Sequence, residues 1–190
     1  MSPRGWPQAV LSIVWVVTAL AMSGAARAGA QTPAPNLGRF EPTPIEIAER
    51  MLQLAGVTRD DVVYDLGSGD GRIVILAARR YGARGVGVEI DPQLVWFSRR
   101  EAKRLQVEHL VTFFHADALT ANVAAATVVT LYLTPQANLL LRPKLQRELR
   151  PGARVVSHEH HMGDWVPEGV ERVTARSGMI HTLYLWRIRS

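Results

Sequence analysis

The chain has 190 residues, of which 47% are hydrophobic, so it can form one domain of ordinary size and a short extension. The absence of cysteine excludes disulfides, thiolate zinc sites and a cysteine nucleophile. The net charge of +5 reflects 22 basic against 17 acidic residues, and because the basic residues are scattered they do not predict a nucleic-acid partner.

The first 30 residues have the pattern of a secretory signal peptide. Arg4 supplies a positive start, residues 9–22 form an uncharged apolar run, and Ala26-Arg27-Ala28 is an A-x-A cleavage site. A second such site follows at residues 28–30. We therefore expect export of the mature domain, without a membrane span of its own, to the periplasm or the outside of the cell.

Two alternatives to a cleaved signal peptide stay open. The uncharged span of residues 5–26 is long enough to act as an uncleaved membrane anchor. Translation from Met22 would instead leave the protein in the cytoplasm. Residues 31–39 follow as a linker with proline and glycine, and the folded domain is predicted over residues 40–190.

A helix is predicted directly after residues 40–43. Thr43 is a good N-cap, Pro44 suits the first helical position and Glu46 stands three residues after the cap, which together form a capping box. Apolar residues then recur at helical spacing until Gly56 ends the helix.

A glycine-rich turn follows a short apolar strand at residues 62–66. The glycines stand at alternate positions, Gly67, Gly69 and Gly71, and residues 73–81 then have the pattern of a helix. A strand, a glycine turn and a helix place free backbone N–H groups and a positive helix end beside a bound ligand.

The spacing of these glycines distinguishes between ligands. Dinucleotide-binding turns have the pattern G-x-G-x-x-G, whereas this turn is G-x-G-x-G with Asp65 two places before its first glycine. An acid in that place suits a ligand with an ammonium group and no pyrophosphate, as in S-adenosylmethionine. The alternatives are a nicotinamide dinucleotide and a turn without a ligand; a P-loop is excluded because no G-x-x-x-x-G-K-[ST] occurs.

Residues 65–71, DLGSGDG, resemble the first motif of the class I, seven-strand S-adenosylmethionine-dependent methyltransferases. The resemblance extends over residues 40–190. It implies an α/β fold with a doubly wound, mostly parallel sheet of seven strands that ends in an antiparallel hairpin. It also implies S-adenosylmethionine as the cofactor, with Asp65, Gly67, Ser68, Gly69 and Gly71 as residues that bind it.

Three further residues are candidates for binding this cofactor. Glu89 ends a strand at residues 85–89, where a carboxylate can accept hydrogen bonds from both ribose hydroxyls; the alternative is simple exposure at a strand end. Asp117, after a strand at residues 111–115, matches an acid that the family places against the adenine amino group. The segment around Thr43 is similar to one in some lysine methyltransferases of the class, where it lies near the methionine end of the cofactor; otherwise Thr43 is only a cap.

The fourth strand, at residues 127–133, ends where the methyl acceptor is expected, because ligands of doubly wound sheets bind beyond the carboxyl ends of the strands. Adenine and glutamine methyltransferases have an Asn/Asp-Pro-Pro-aromatic tetrad there. This chain has Leu133-Thr134-Pro135-Gln136 instead, which argues against those acceptors. Tyr132 is the catalytic candidate, beside the approaching nitrogen, and the alternative is that it packs against the neighbouring helix.

The run His158-Glu159-His160-His161 follows a fifth strand at residues 154–157. Three histidines and a carboxylate are of the right chemistry for a metal site. However, alternate residues of an extended strand face opposite ways, so only His158 and His160 are expected to share a face. We therefore predict no metal ligands here and expect the run to line a cleft or a solvated loop.

The end of the chain departs from the usual family pattern. Residues 162–169 replace the helix that usually links strands five and six. Trp165 in this loop either closes the cleft or fills the core. Residues 170–175 and 179–188 predict the antiparallel hairpin.

Methyl transfer from a sulfonium needs little acid–base machinery, since alignment of an unprotonated nucleophile does most of the work. By resemblance, the nearest group is the small protein-lysine methyltransferases, in which an aromatic or apolar channel desolvates the ammonium. Tyr132, Trp165 and Phe40 are the aromatic candidates for such a channel. We predict N-methylation of a protein lysine. The alternatives are a small-molecule methyltransferase and a non-catalytic binding module. The presence of Asp65, Glu89 and Asp117 at the expected spacing argues against a non-catalytic module.

Overall fold

The computed structural model describes residues 40–189, so the predicted signal peptide and linker at residues 1–39 lie outside the described residues. Four helices and seven strands follow one another in this range. In chain order they are α1 (Ile45–Leu54), β1 (Val62–Leu66), α2 (Arg72–Tyr81), β2 (Arg84–Glu89), α3 (Pro92–Arg104), β3 (Val111–His115), β4 (Val128–Leu131), α4 (Pro135–Glu148), β5 (Arg154–His158), β6 (Gly169–Thr174) and β7 (Ile180–Arg187).

The strands form one sheet of seven in the order β3-β2-β1-β4-β5-β7-β6. Strands β1 to β5 run parallel, and β7 is antiparallel to both β5 and β6. The predicted doubly wound sheet with a C-terminal hairpin is confirmed. The strand order reverses between β1 and β4, which places the expected ligand crevice at their carboxyl ends.

Both faces of the sheet are covered by apolar side chains, as a mostly parallel sheet requires. One core joins α1, α2 and α3 to the sheet through residues such as Met51, Val74 and Phe113. The other joins α4 and the loop after β5 through residues such as Leu141 and Met162. Burial on both faces explains why β1 and β4 are mostly apolar along their length rather than alternating between apolar and polar residues.

The start of α1 differs from the predicted capping box. Pro44 occupies the N-cap position without a side-chain hydrogen bond, and the helix begins at Ile45. The Thr43 hydroxyl lies 3.3 Å from Nδ1 of His158, and the Glu46 carboxylate accepts the backbone N–H of Arg176. The capping box is therefore wrong, because long-range partners take both side chains.

Other boundaries lie within two residues of the predictions. The difference that matters for function is at β4, which ends at Leu131 rather than at residue 133, so that Tyr132 lies in the loop beyond the strand. Between β5 and β6 the described chain has no helix, as predicted, and the hairpin is present. Among residues 40–189, none of the helices combines the length and apolar character needed to cross a bilayer.

Candidate active site

A cavity of about 590 Å³ opens at the carboxyl ends of β1, β2 and β4. The glycine turn forms its floor, and residues 40–43, here called the rim segment, lie along one side. The predicted candidates that line it are Thr43, Asp65, Gly67, Ser68, Gly69, Glu89 and Tyr132. Seven of the nine sequence-predicted site residues thus meet around one cavity.

The glycine turn is held by its own hydrogen bonds. The N–H groups of Gly67 and Ser68 donate to the carbonyl of Val88 at 2.8 and 3.0 Å, and that of Gly69 donates to Glu89 Oε2 at 2.8 Å. The expectation of free N–H groups is therefore wrong for these three residues. The hydroxyl of Ser68 is buried against Gly87 and has no hydrogen-bond partner among the described residues, so it does not face the cavity.

Close approach explains the glycines at the cavity floor. Gly67 has a φ of 79°, and a Cβ there would lie 2.6 Å from the Leu133 side chain. A Cβ on Gly69 would collide with the ring of Phe40 in the rim segment. The first glycine thus admits the loop after β4, and the second admits the rim segment.

Asp65 is a buried acid at the end of β1. Its Oδ1 accepts a hydrogen bond from the hydroxyl of Thr130 at 2.7 Å. Burial, with a smaller effect from the nearby carboxylates of Glu89 and Asp70, raises the pKa of Asp65 to about 7, although the hydrogen bond from Thr130 lowers it. A cationic group in the cavity would be stabilised by the ionised form of this acid.

Glu89 accepts hydrogen bonds from three backbone N–H groups besides any ligand. Its Oε2 accepts the N–H of Gly69, and its Oε1 accepts those of Ile90 and Asp91 at 2.8 and 3.0 Å. The side chain is buried and lines the cavity, so it is not merely exposed at a strand end. One carboxylate therefore joins the glycine turn to the start of α3.

Arg72 fixes the rim segment to the glycine turn. Its guanidinium contacts both carboxylate oxygens of Asp70, and its NH1 donates to the carbonyl of Thr43 at 2.8 Å. Both Arg72 and Asp70 line the cavity. Sequence analysis gave neither residue a role, because the contact to Thr43 spans 29 positions and leaves no local pattern.

Tyr132 lines the cavity, with its ring centroid 4.0 Å from that of His158. Burial raises the pKa of Tyr132 to about 12, and the Glu41 carboxylate adds to this rise. The phenol therefore stays protonated and is a hydrogen-bond donor. The ring of Tyr132 packs on that of His158.

The remaining candidates lie away from the cavity. Asp117 Oδ1 accepts the N–H of Leu119 at 2.8 Å, and only the neighbours of Asp117 line the cavity. Gly71, with a φ of 78°, packs against the ring of Phe113.

Trp165 belongs to the core rather than to the cleft. Its ring packs against that of Trp186, and its carbonyl accepts the indole N–H of that residue at 2.7 Å. It therefore fills the core, and its assignment to an aromatic channel is wrong. Of the three aromatic candidates, Phe40 and Tyr132 line the cavity.

The histidine run after β5 does not alternate as predicted. His158 is fully buried beneath Tyr132, whereas His160 lines the cavity. Glu159 has a φ of 65°, which interrupts the extended backbone between them. The expected shared face of His158 and His160 is therefore wrong.

The residues of this cavity fit S-adenosylmethionine. The charged groups that act on the buried Asp65 among residues 40–189 are the carboxylates of Glu89 and Asp70, not cations, and Glu89 also offers carboxylate oxygens at the cavity wall. Acids facing an amino-acid ammonium and ribose hydroxyls are the donors and acceptors that such a nucleoside requires. When bound, the cofactor supplies an electrophilic methyl group on a sulfonium.

Comparisons with known proteins agree with this chemistry. The profile of the ANTKMT methyltransferase domain matches residues 65–169. A protein-lysine N-methyltransferase of Saccharolobus islandicus is 40% identical over 78% of this chain and 92% of its own length. An adenine nucleotide translocase lysine N-methyltransferase of Mus musculus is 40% identical over 62% of this chain, which spans 53% of that protein.

A solved structure extends the comparison to the whole domain. The RNA methyltransferase from Salinibacter ruber, in complex with S-adenosylhomocysteine, is 51% identical with a TM-score of 0.74. The match covers 79% of this chain and 95% of that protein. The chain therefore belongs to the ANTKMT methyltransferase domain family and is an S-adenosylmethionine-dependent methyltransferase.

Proposed function

We propose that the chain transfers the methyl group of S-adenosylmethionine to the side-chain amine of a lysine in a protein. The observation that carries this proposal is that two aromatic residues, Tyr132 and Phe40, and an acid, Glu41, line the wall of the cofactor cavity together. An aromatic ring and an acid together attract an ammonium group and then orient its nitrogen. The names of the relatives from Saccharolobus islandicus and Mus musculus support the same acceptor.

The acceptor nitrogen must lose a proton before it can attack. Entry of a lysine side chain beside Tyr132 and Phe40 removes water from its ammonium, which lowers the pKa of that group and releases the proton to solvent. The neutral nitrogen would then have a lone pair free to take the methyl group that a bound cofactor supplies. Because that transfer needs no further base, the task of Tyr132 is to hold the nitrogen in line.

Different residues of the same cavity contact different parts of the cofactor in this proposal. We assign Asp65 to the positive charge of the cofactor and Glu89 to its ribose. Ser68 is part of the cavity floor, and we assign Thr43, whose hydroxyl contacts His158, to the methionine end of the cofactor.

Incubation of the full chain with lysate and methyl-labelled S-adenosylmethionine tests the class of acceptor. We expect acid-precipitable label that protease releases and nuclease does not. Excess S-adenosylhomocysteine should abolish it, as expected for transfer from S-adenosylmethionine. Label confined to small metabolites would contradict the proposal.

RNA is the second candidate acceptor, because the protein from Salinibacter ruber is called an RNA methyltransferase. The nuclease arm of the same experiment decides between the two. Label that nuclease releases and protease leaves in place would favour RNA and overturn the lysine proposal.

Replacement of Tyr132 by phenylalanine is expected to lower turnover by about tenfold, the value of one hydrogen bond to the acceptor. Cofactor affinity should stay nearly unchanged, because this residue faces the acceptor. Tyr132→Ala should be more severe, since it also opens the channel to water. Steady-state kinetics with cofactor titrations measure both quantities.

Tyr184→Phe is the matched control, because Tyr184 stacks on Trp186 and does not line the cavity. It should keep normal turnover. If Tyr132→Phe lowers the melting temperature but keeps normal turnover per folded molecule, Tyr132 has no role in the site.

A further inference from the structure

Three possible metal ligands converge behind the cavity wall, between the end of β5 and the neighbouring β7. His158 Nε2 lies 2.9 Å from His181 Nδ1, and Glu159 Oε1 lies 2.9 Å from the same nitrogen. The third side of the triangle, from His158 Nε2 to Glu159 Oε1, is 3.5 Å. Both histidines are buried, and Glu159 is partly exposed, so the cluster can be reached from solvent through Glu159.

The backbone is bent in a way that completes this cluster. Glu159 has a φ of 65°, a conformation that a residue with a side chain adopts only at a free-energy cost. Its N–H still donates to the carbonyl of Thr182 at 2.7 Å, so pairing with β7 continues. In a regular strand Glu159 would face away from His158, whereas here its carboxylate reaches the His158–His181 pair.

The short contacts within this cluster cannot all be well-aligned hydrogen bonds. Nδ1 of His181 lies at 2.9 Å from both a nitrogen and a carboxylate oxygen, yet it carries at most one proton. A single N–H cannot point straight at both. A cation within the triangle would instead accept one lone pair from each of the three atoms.

We propose that His158, Glu159 and His181 form a binding site for a divalent transition-metal ion of the zinc class. Two imidazoles and one carboxylate are a common ligand set for Zn²⁺, with bonds of about 2.0–2.2 Å. Three atoms with the separations seen here can all lie at about 2.1 Å from one ion slightly outside their plane, which leaves a fourth position for water.

The surroundings of His158 are also those of a metal-binding histidine. With Nε2 on the metal, Nδ1–H of His158 donates to the hydroxyl of Thr43, which lies 3.3 Å away. A second hydrogen bond of this kind fixes the ring orientation of metal-binding histidines. The ion would thereby immobilise His158, which holds Thr43 and supports the ring of Tyr132 at the cavity wall.

Metal binding can be measured without cofactor or acceptor, so the result is independent of the proposed function. The full chain, made without a histidine tag, is loaded with Zn²⁺, dialysed and analysed for metal by mass spectrometry. We expect one equivalent per chain. We also expect a melting temperature about 5–10 °C higher with Zn²⁺ at a hundredfold excess over its dissociation constant.

Glu159→Gln and His181→Gln should each lose the bound ion and the thermal shift. His109→Gln, which removes an exposed histidine outside the cluster, should keep both. Co²⁺ in place of Zn²⁺ should give the visible absorption of a nitrogen- and oxygen-bound site in the wild type. A wild-type protein with no bound Zn²⁺ and no thermal shift would overturn the proposal and leave the cluster as a hydrogen-bonded network.

Discussion

Asparagine in place of Asp65 is expected to stabilise the ligand-free protein above pH 7 and to weaken binding of S-adenosylmethionine. The pKa of Asp65 is about 7 in the folded protein, against an ordinary value of 3.8. The folded state therefore holds the proton more tightly than the unfolded state does. The stability that Asp65 contributes is present below pH 4 and is lost as the pH rises from 4 to 7.

Above pH 7 this loss amounts to on the order of 4 kcal/mol in the free energy of unfolding. Asp65→Asn removes the titration but keeps an oxygen for the hydroxyl of Thr130. Denaturant unfolding at several pH values should therefore show the variant as more stable only at the higher values. Asp60→Asn, at an exposed acid nearby, is the control and should follow the wild type.

A cationic ligand bound beside Asp65 favours the ionised carboxylate, whereas burial in the ligand-free protein favours the protonated form. A positive charge lowers the pKa of the acid, so the wild type should release up to one proton on binding near pH 7. Calorimetry in buffers of different ionisation enthalpy measures this release. Asp65→Asn should release no proton and bind about thirtyfold more weakly. Equal proton release by both proteins would show that Asp65 does not face the ligand.

Alanine in place of Glu89 is expected to weaken cofactor binding by about 2 kcal/mol, because charged hydrogen bonds to the ribose are lost. It should also lower the melting temperature, since the N–H groups of Gly69, Ile90 and Asp91 lose their acceptor. Calorimetry with S-adenosylhomocysteine, combined with thermal unfolding, measures both effects.

A thermodynamic cycle separates these two roles of Glu89. The second change is made in the ligand, by use of a 2′-deoxyribose analogue of S-adenosylhomocysteine. If Glu89 binds the ribose, removal of the hydroxyl should weaken binding to the wild type by about 1–2 kcal/mol and should matter little in Glu89→Ala. Additive losses would mean that Glu89 only supports the glycine turn.

The sheet and the glycine turn were predictable because their signals are local. Continuous apolar runs at β1 and β4 indicate strands buried on both faces, and the spacing of Asp65, Gly67 and Gly69 defines the turn between strand and helix. The position of the cavity then follows from topology, because parallel strands place their carboxyl ends at one edge.

Contacts between distant parts of the chain were not predictable. Thr43 satisfies every local rule for a helix cap, yet its hydroxyl lies beside a histidine 115 positions away. His181 meets His158 only because β7 pairs antiparallel with β5, which brings Leu183 opposite His158. Trp165 lies in a loop without hydrophobic periodicity, so the sequence does not indicate whether its ring faces the cleft or the core.

The chemical identity of the methylated group tests the central claim most directly. Protein labelled by the full chain with methyl-labelled S-adenosylmethionine is hydrolysed completely in acid, and its amino acids are separated against methylated standards. We predict that the label migrates with mono-, di- or trimethyllysine and disappears when the chain carries Glu89→Ala at limiting cofactor. Label in methylarginine, methylhistidine or a methylated nucleoside, with none in methyllysine, would contradict the assignment of a lysine acceptor.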